Sequence, residues 1–199
     1  MKYVITTPRL GLRRWKESDL PLVIAMNQDK EVMLYFPSTL SAEESLEFFL
    51  RIQRQIEDLG FGLWAVEKLD SKEYIGFTGF SIPAFESFFT PCVEIGWRLR
   101  KEYWGRGYAT EAALASLTHG FEKWEWDRIV SFTSVFNLPS ERVMQKIGMT
   151  KQGEFEHPSL PNGHRLCRHL LYEIRRDQAI GKNEIYSGFN SIDLGRVHE

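Results

Sequence analysis

Cysteine is scarce in this chain of 199 residues; only Cys92 and Cys167 are present. They form no Cys-x-x-Cys pair, and none of the five histidines stands at His-Glu-x-x-His spacing, so no metal is expected. Two isolated thiols suit a reducing, cytosolic setting. No apolar run is long enough to span a bilayer. Residues 1–9 also lack the apolar core of a signal peptide, so the expected location is the cytoplasm, with no membrane partner. A large excess of positive charge is missing as well. The formal net charge is −2, which argues against direct nucleic-acid binding, a task for basic surfaces. There is no internal repeat, and no lysine follows the glycines in the manner of a Walker loop, which disfavours an unrelated nucleotide-binding α/β domain.

What is present is one good-sized core. Hydrophobic residues make up 43% of the chain, enough for a single globular domain over residues 1–176. Periodicity fades from Asp177, so residues 177–199 are expected to be a peripheral tail. Leu10 and Leu12 alternate with Arg9 and Arg13 as in a half-buried strand. Ser18 is read as the N-cap of a helix running to Gln28, followed by a short second segment over residues 31–36 that Pro37 stops. Ser41 and Glu44 form a capping box for a helix with an apolar face of Leu46, Phe49, Ile52, Ile56 and Leu59, ended by Gly60. Residues 61–68 and 73–81 read as a hairpin, and residues 92–100 as a third strand. A helix from Tyr108, a strand over 129–136, a short helix opened by Asn137 and Pro139, and strands over 151–156 and 165–174 complete the pattern. This order is not the alternation of a Rossmann chain. It predicts an α/β mixed sheet with helices on both faces.

The most informative stretch runs from Trp97 through Gly105, Arg106 and Gly107 into the helix at Tyr108. Glycines let the backbone turn sharply and present consecutive N–H groups. A helix that begins there adds unpaired N–H groups and the positive end of its dipole. Together they make an anion site suited to a phosphate or pyrophosphate.

Trp104, Gly105, Arg106, Gly107, Tyr108 and Ala109 resemble motif A of the GNAT acyl-CoA N-acyltransferases, whose pattern is Gln/Arg-x-x-Gly-x-Gly/Ala. The stretch from Asn137 to Met149, with Lys146 and Gly148 near its end, resembles motif B of that family. The opening around Thr7, the run around Gly76 and Gly79, and the strand from Val93 to Trp97 are similar to the RimJ/RimL branch, which includes N-terminal acetyltransferases of ribosomal proteins. The resemblance covers roughly residues 5–175. It implies the GNAT fold, a central, largely antiparallel sheet with helices on both faces. It also implies acetyl transfer from acetyl-CoA to a primary amine by direct attack in a ternary complex. The acceptor would be a protein N-terminus or a small amine such as a polyamine, an amino acid derivative or an antibiotic. A non-catalytic acyl-CoA sensor stands as a further alternative. A homodimer is compatible with the resemblance.

The same resemblance assigns the pyrophosphate to Gly105, Arg106, Gly107, Tyr108, Ala109 and Thr110, and the thioester arm to the strand at Ile95, Trp97 and Leu99. It gives Asn137 a contact with CoA. Glu94, opposite the apolar face of its strand, becomes the candidate base, with pairing to an arginine such as Arg98 as the structural alternative. Gly96 is read as a bulge or a close-approach site. Two residues depart from the family pattern. Trp104 stands where Gln or Arg is usual, which leaves backbone amides unaffected. Met144 stands where many relatives carry a proton-donating tyrosine, which makes Ser140 the candidate acid. Cys92, at a strand start with no His/Asp partner, is not expected to carry the acetyl group. Phe85, Phe88 and Phe89 are read as lining the acceptor cleft or as buried under their loop, and His157, His164 and His169 as members of a hydrogen-bonded loop.

Overall fold

The computed structural model describes residues 2–179. Eight strands form one sheet in the order β1-β2-β3-β4-β5-β6-β8-β7. They are β1 (Ile5–Thr6), β2 (Leu10–Arg13), β3 (Leu63–Lys68), β4 (Tyr74–Ser81), β5 (Glu94–Leu99), β6 (Arg128–Ser134), β7 (Thr150–Glu156) and β8 (Arg168–Arg175). Every pairing is antiparallel except β5 with β6. The helices are α1 (Leu20–Gln28), α2 (Ala42–Leu59), α3 (Tyr108–Lys123) and α4 (Leu138–Lys146). The mixed sheet expected from the element order is therefore observed, with the short β1 added at its edge.

The β4–β5 register separates the two faces. Phe77, Gly79 and Ser81 lie opposite Arg98, Gly96 and Glu94. On that face Arg98 meets Asn27 of α1 and the Phe48 ring of α2. On the other face the Phe80 side chain packs at Gly120 of α3. So α1 and α2 cover one side of the sheet, and α3 covers the other with α4 beside it.

Local signals explain the best-formed helices. Ser41 accepts from the Glu44 N–H while the Glu44 carboxylate accepts from the Ser41 N–H, and Gly60 ends α2 in the left-handed region at φ 75°. Phe49, Ile52 and Ile56 are buried as expected, but Leu46 and Leu59 are exposed. Buried Ser45 takes a place on that face and accepts a hydrogen bond from Asn27.

Three expectations are corrected. Ser18 is not an N-cap; it sits in a 3-10 turn, and Asp19 precedes α1. Asp19 gives no side-chain cap to α1 because its carboxylate is engaged by Arg13 and by the Lys16 N–H. Residues 31–36 form turns, not a helix. Arg13 does not face solvent: it is 2% exposed and pairs with both Asp19 and Glu67 at 2.7 Å. That buried triad makes β2 an interior strand on both faces, so the alternation of Leu and Arg was not one of buried and exposed residues.

Beyond β8, residues 176–179 make a helical turn. Arg176 donates to the carbonyls of Trp126 and Trp124. The rest of the expected tail, 180–199, lies outside the described residues.

Candidate active site

The site begins where two strands part. The N–H of Val130 donates to the carbonyl of Val93 at 2.9 Å, and β5 pairs with β6 only at Glu94 and Val130. Successive residues of a strand point their backbone groups to alternate edges. The odd-numbered residues of β5 therefore turn their N–H and C=O groups toward β6. Because pairing stops at once, Trp97 and Leu99 present theirs to an open wedge. One of them, the Leu99 carbonyl, accepts from the Trp104 indole at 2.8 Å. Around this wedge lies a cleft of about 870 Å³. Ile95, Trp97 and Leu99 all line it, as do Glu94, Gly96 and Arg98.

On the α3 side the cleft ends in the glycine loop. Gly105 and Gly107 have φ of 72° and 79°, the left-handed region that glycine tolerates best. Gly107 is the N-cap of α3, and its carbonyl accepts the first helical bond from Glu111. The N–H groups of Tyr108, Ala109 and Thr110 precede that bond and have no backbone acceptor in the helix. These residues fit a pyrophosphate: three orphan amides at a positive dipole end, with no side chain on the glycines to obstruct approach. The Tyr108 side chain itself is buried, so only its backbone is available. The Arg106 side chain lies toward Tyr103, 6.0 Å from its ring, and does not line the cleft; Arg142 and Lys146 of α4 do.

A brace holds this loop, and sequence reasoning missed it. Glu111 in the first turn of α3 accepts from the Thr7 hydroxyl at 2.6 Å and from Nε of Arg9 at 2.6 Å. Arg9 also donates to the Arg106 carbonyl at 3.1 Å and covers the Tyr108 ring at 4.6 Å. The available signal was the run Thr7, Pro8 and Arg9 just before β2.

On the α1–α2 side stands Glu94. It lies half-buried at the point where the strands part and accepts a hydrogen bond from Ser81 Oγ at 3.0 Å. Burial raises its pKa to about 7, with the Ser81 bond opposing the rise. No arginine pairs with it among the described residues, so the structural alternative is not what is found. Gly96 is not a bulge; the β4–β5 register is continuous through it. A Cβ there would meet nothing within 4 Å, which leaves open space beside Glu94 on the cleft face. The Cys92 thiol is pushed up to about 11 by burial and by the neighbouring Glu94, and so is not a ready thiolate.

From α4, Asn137 caps the helix by accepting from the Ser140 N–H at 3.2 Å and donates to the Thr133 hydroxyl at 2.9 Å. Its side chain is thus held within the protein while it lines the cleft. Ser140 also lines the cleft, and Met144, one turn further along α4, is fully buried.

Of the three loop phenylalanines, none lines the cleft. Phe89 is buried, Phe85 packs on Phe132, Phe155 and His157, and Phe88 is 78% exposed. His157 and His169 do line the cleft, 5.0 Å apart between ring centroids, and burial lowers the pKa of both. Arg165 donates to the Leu34 carbonyl at 2.8 Å. That bond joins the β7–β8 loop to the α1–α2 connection on the Glu94 side.

Among the described residues, no group of three or more His, Cys, Asp or Glu side chains could hold a metal, and no helix is long and apolar enough to cross a membrane.

The family model described as an acetyltransferase (GNAT) domain matches residues 9–150. An uncharacterised N-acetyltransferase of Bacillus subtilis, YnaD, is 32% identical over 174 residues, spanning 87% of this chain and 98% of its own. Among solved structures, a GNAT-family acetyltransferase from Bacillus anthracis is similar at TM-score 0.72 and 29% identity, covering 87% of this chain and 98% of the other. The ribosomal L7/L12 α-N-protein acetyltransferase RimL, solved with coenzyme A, shares the fold at TM-score 0.70 and 20% identity, covering 87% and 98%.

Proposed function

Because the chain belongs to the GNAT acetyltransferases and is an acetyl-CoA-dependent N-acetyltransferase, we propose that it acetylates a small primary amine by direct attack, with Glu94 as the base. Acetyl-CoA approaches from the α3 side, its pyrophosphate on the amides of residues 105–110 and its thioester arm in the wedge beside Trp97. The acceptor enters from the α1–α2 side. The amine nitrogen attacks the thioester carbonyl, and the proton it sheds passes to Glu94 directly or through water. The carbon–sulfur bond then breaks, and the departing thiolate takes a proton from the Ser140 hydroxyl as that hydroxyl regains one from water. Backbone N–H groups of the wedge near Trp97 polarise the thioester oxygen.

The observation that carries this reading is Glu94 itself. It is a carboxyl with a pKa of about 7, at the mouth of the wedge and beside the open space left by Gly96. A base poised near operating pH is the kind that catalyses proton transfer best. A small acceptor is favoured over a protein N-terminus by the Arg165–Leu34 bond, which ties together two segments that both line the acceptor side. An extended peptide would need that tie to open.

An acceptor screen with acetyl-CoA, read by release of free thiol, tests the reading. Small amines should turn over faster than short peptides, and initial rates with both substrates varied should give intersecting lines. Cys92→Ala should keep most activity. Ping-pong kinetics or an isolable acetyl-enzyme would overturn direct attack. Tight acetyl-CoA binding with no thiol release from any amine would instead mark an acyl-CoA sensor.

A further inference from the structure

Arg98 is a charge that no carboxylate pairs with among the described residues. A buried ionised group is costly unless it is paired and hydrogen-bonded. The protein obeys that rule at Arg13, which engages the carboxylates of Asp19 and Glu67. Arg98 is part-buried where it lines the cleft, and it has no such pairing among the described residues. Nη1 donates to the neutral amide oxygen of Asn27 at 2.7 Å. Nε is buried with no partner. Nη2 makes no hydrogen bond, and no carboxylate pairs with the guanidinium, among the described residues. The group is enclosed instead by the rings of Phe36 at 4.1 Å, Phe77 at 5.3 Å and Phe48 at 5.6 Å. Burial lowers its pKa to about 10, so it is still a cation at neutral pH.

The position is built. Asn27, which holds Nη1, is itself held by donating to Ser45 Oγ at 3.2 Å, so the guanidinium is fixed from α1 and α2. Arg98 lines the same cleft as Glu94 and stands on the same face of β5. Between them on that face are only Gly96 and its neighbour Gly79. Four residue steps along the strand separate the two Cα atoms by about 13 Å. The result is a trough with no side chain along its floor, a carboxyl at one end and an unpaired guanidinium at the other.

We infer that the acceptor is an amine that also carries an anionic group, a carboxylate or a phosphate, which Arg98 binds while the amine lies at Glu94. This rests on the acetyl-transfer reading and names its substrate class. An anion at Arg98 supplies the charge-assisted hydrogen bond that Nη2 lacks and the countercharge that the closed-in Nε side does not have, in surroundings where such interactions are strong. A polyamine would bring a second cation toward a fixed cation and is disfavoured for the same reason.

The test is a ladder of ω-amino acids of increasing length, set against alkylamines and aminoalkyl phosphates of matched length, with spermidine as the cationic comparison. All are assayed with acetyl-CoA by thiol release. The expected result is a chain length at which one anionic series exceeds the matched alkylamine about 10–100-fold in kcat/KM, the size of a hydrogen bond to a charged group. Whichever series wins tells carboxylate from phosphate. In Arg98→Gln that ratio should fall to within about threefold, with the loss in KM, and Arg98→Lys should restore part of it. The wild-type ladder is decisive even if a variant misfolds. Wild-type turnover of alkylamines or spermidine as good as that of the anionic series overturns the role of Arg98 alone. So does a ratio unchanged in Arg98→Gln. Absence of thiol release with every amine overturns the acetyl-transfer reading and this one with it.

Discussion

Replacing Glu94 by glutamine isolates one proton. Glutamine keeps the shape of the side chain and an oxygen to accept from Ser81, which lies 3.0 Å away. As the base, Glu94 must be ionised, and its pKa of about 7 places that event near neutrality. The amine's own deprotonation makes kcat/KM rise with pH up to about 10 in both proteins. Ionisation of Glu94 should add a further tenfold per pH unit below about 7 in the wild type, so the slope breaks there. Glu94→Gln should lose that break and run about 100–10,000-fold slower above it. Stability must move as well. Burial favours the protonated acid, so folding takes up a proton between the ordinary value of 4.5 and about 7. The residue's contribution to stability thus falls as pH rises through that window, by about 3 kcal/mol at most. Glu94→Gln removes this cost. In urea unfolding it should be more stable than the wild type at about pH 8, with the gap shrinking toward about pH 5. A break near pH 7 that survives in Glu94→Gln would refute the base assignment. No gain in stability at the higher pH would refute the burial argument beneath it.

Three further outcomes are expected. Gly107→Val forces a β-branched residue into a φ of 79°, so acetyl-CoA affinity measured by calorimetry should fall at least about tenfold. The fold should survive, because a Cβ at Gly107 meets only Arg9 at 3.5 Å. Ser140→Ala should lower kcat about 10–100-fold without weakening acetyl-CoA binding, since the CoA thiolate is only modestly basic and a missing acid slows its departure without blocking it. Wild-type turnover would leave Ser140 a residue of the helix start. Glu67→Gln breaks a buried pair and should cost about 3–5 kcal/mol in neutral urea melts. The Glu67 carboxyl is held down to about 2 by hydrogen bonds from Tyr3, Arg13 and Lys16. Its stabilisation is therefore complete above about pH 4.5 and lost as pH falls toward 2, a loss that Glu67→Gln should not show.

The sequence by itself determined the parts whose physics is local. A strand, two glycines and a helix start need only neighbouring residues, and they set an anion site wherever they occur. That is why the turns at Gly105 and Gly107 and the start of α3 at Tyr108, on which the proposed phosphate cradle rests, were legible. The caps at Ser41 and Asn137 were legible for the same reason, as was Glu94 as the lone acid on its strand face. Tertiary structure decided what depends on which strands and helices meet. The β5–β6 pairing that stops after Glu94 opens the wedge, and nothing in either strand alone announces where it stops. Arg13 looked like one edge of an amphipathic strand until β3 brought Glu67 beside it. Arg98 looked like a candidate partner for Glu94. The fold instead gives it Asn27, 71 residues away in sequence, and three phenylalanine rings, with no carboxylate partner among the described residues. Backbone turns and helix caps are fixed by a few adjacent dihedrals, whereas the partner of a buried charge is fixed by packing across the whole chain.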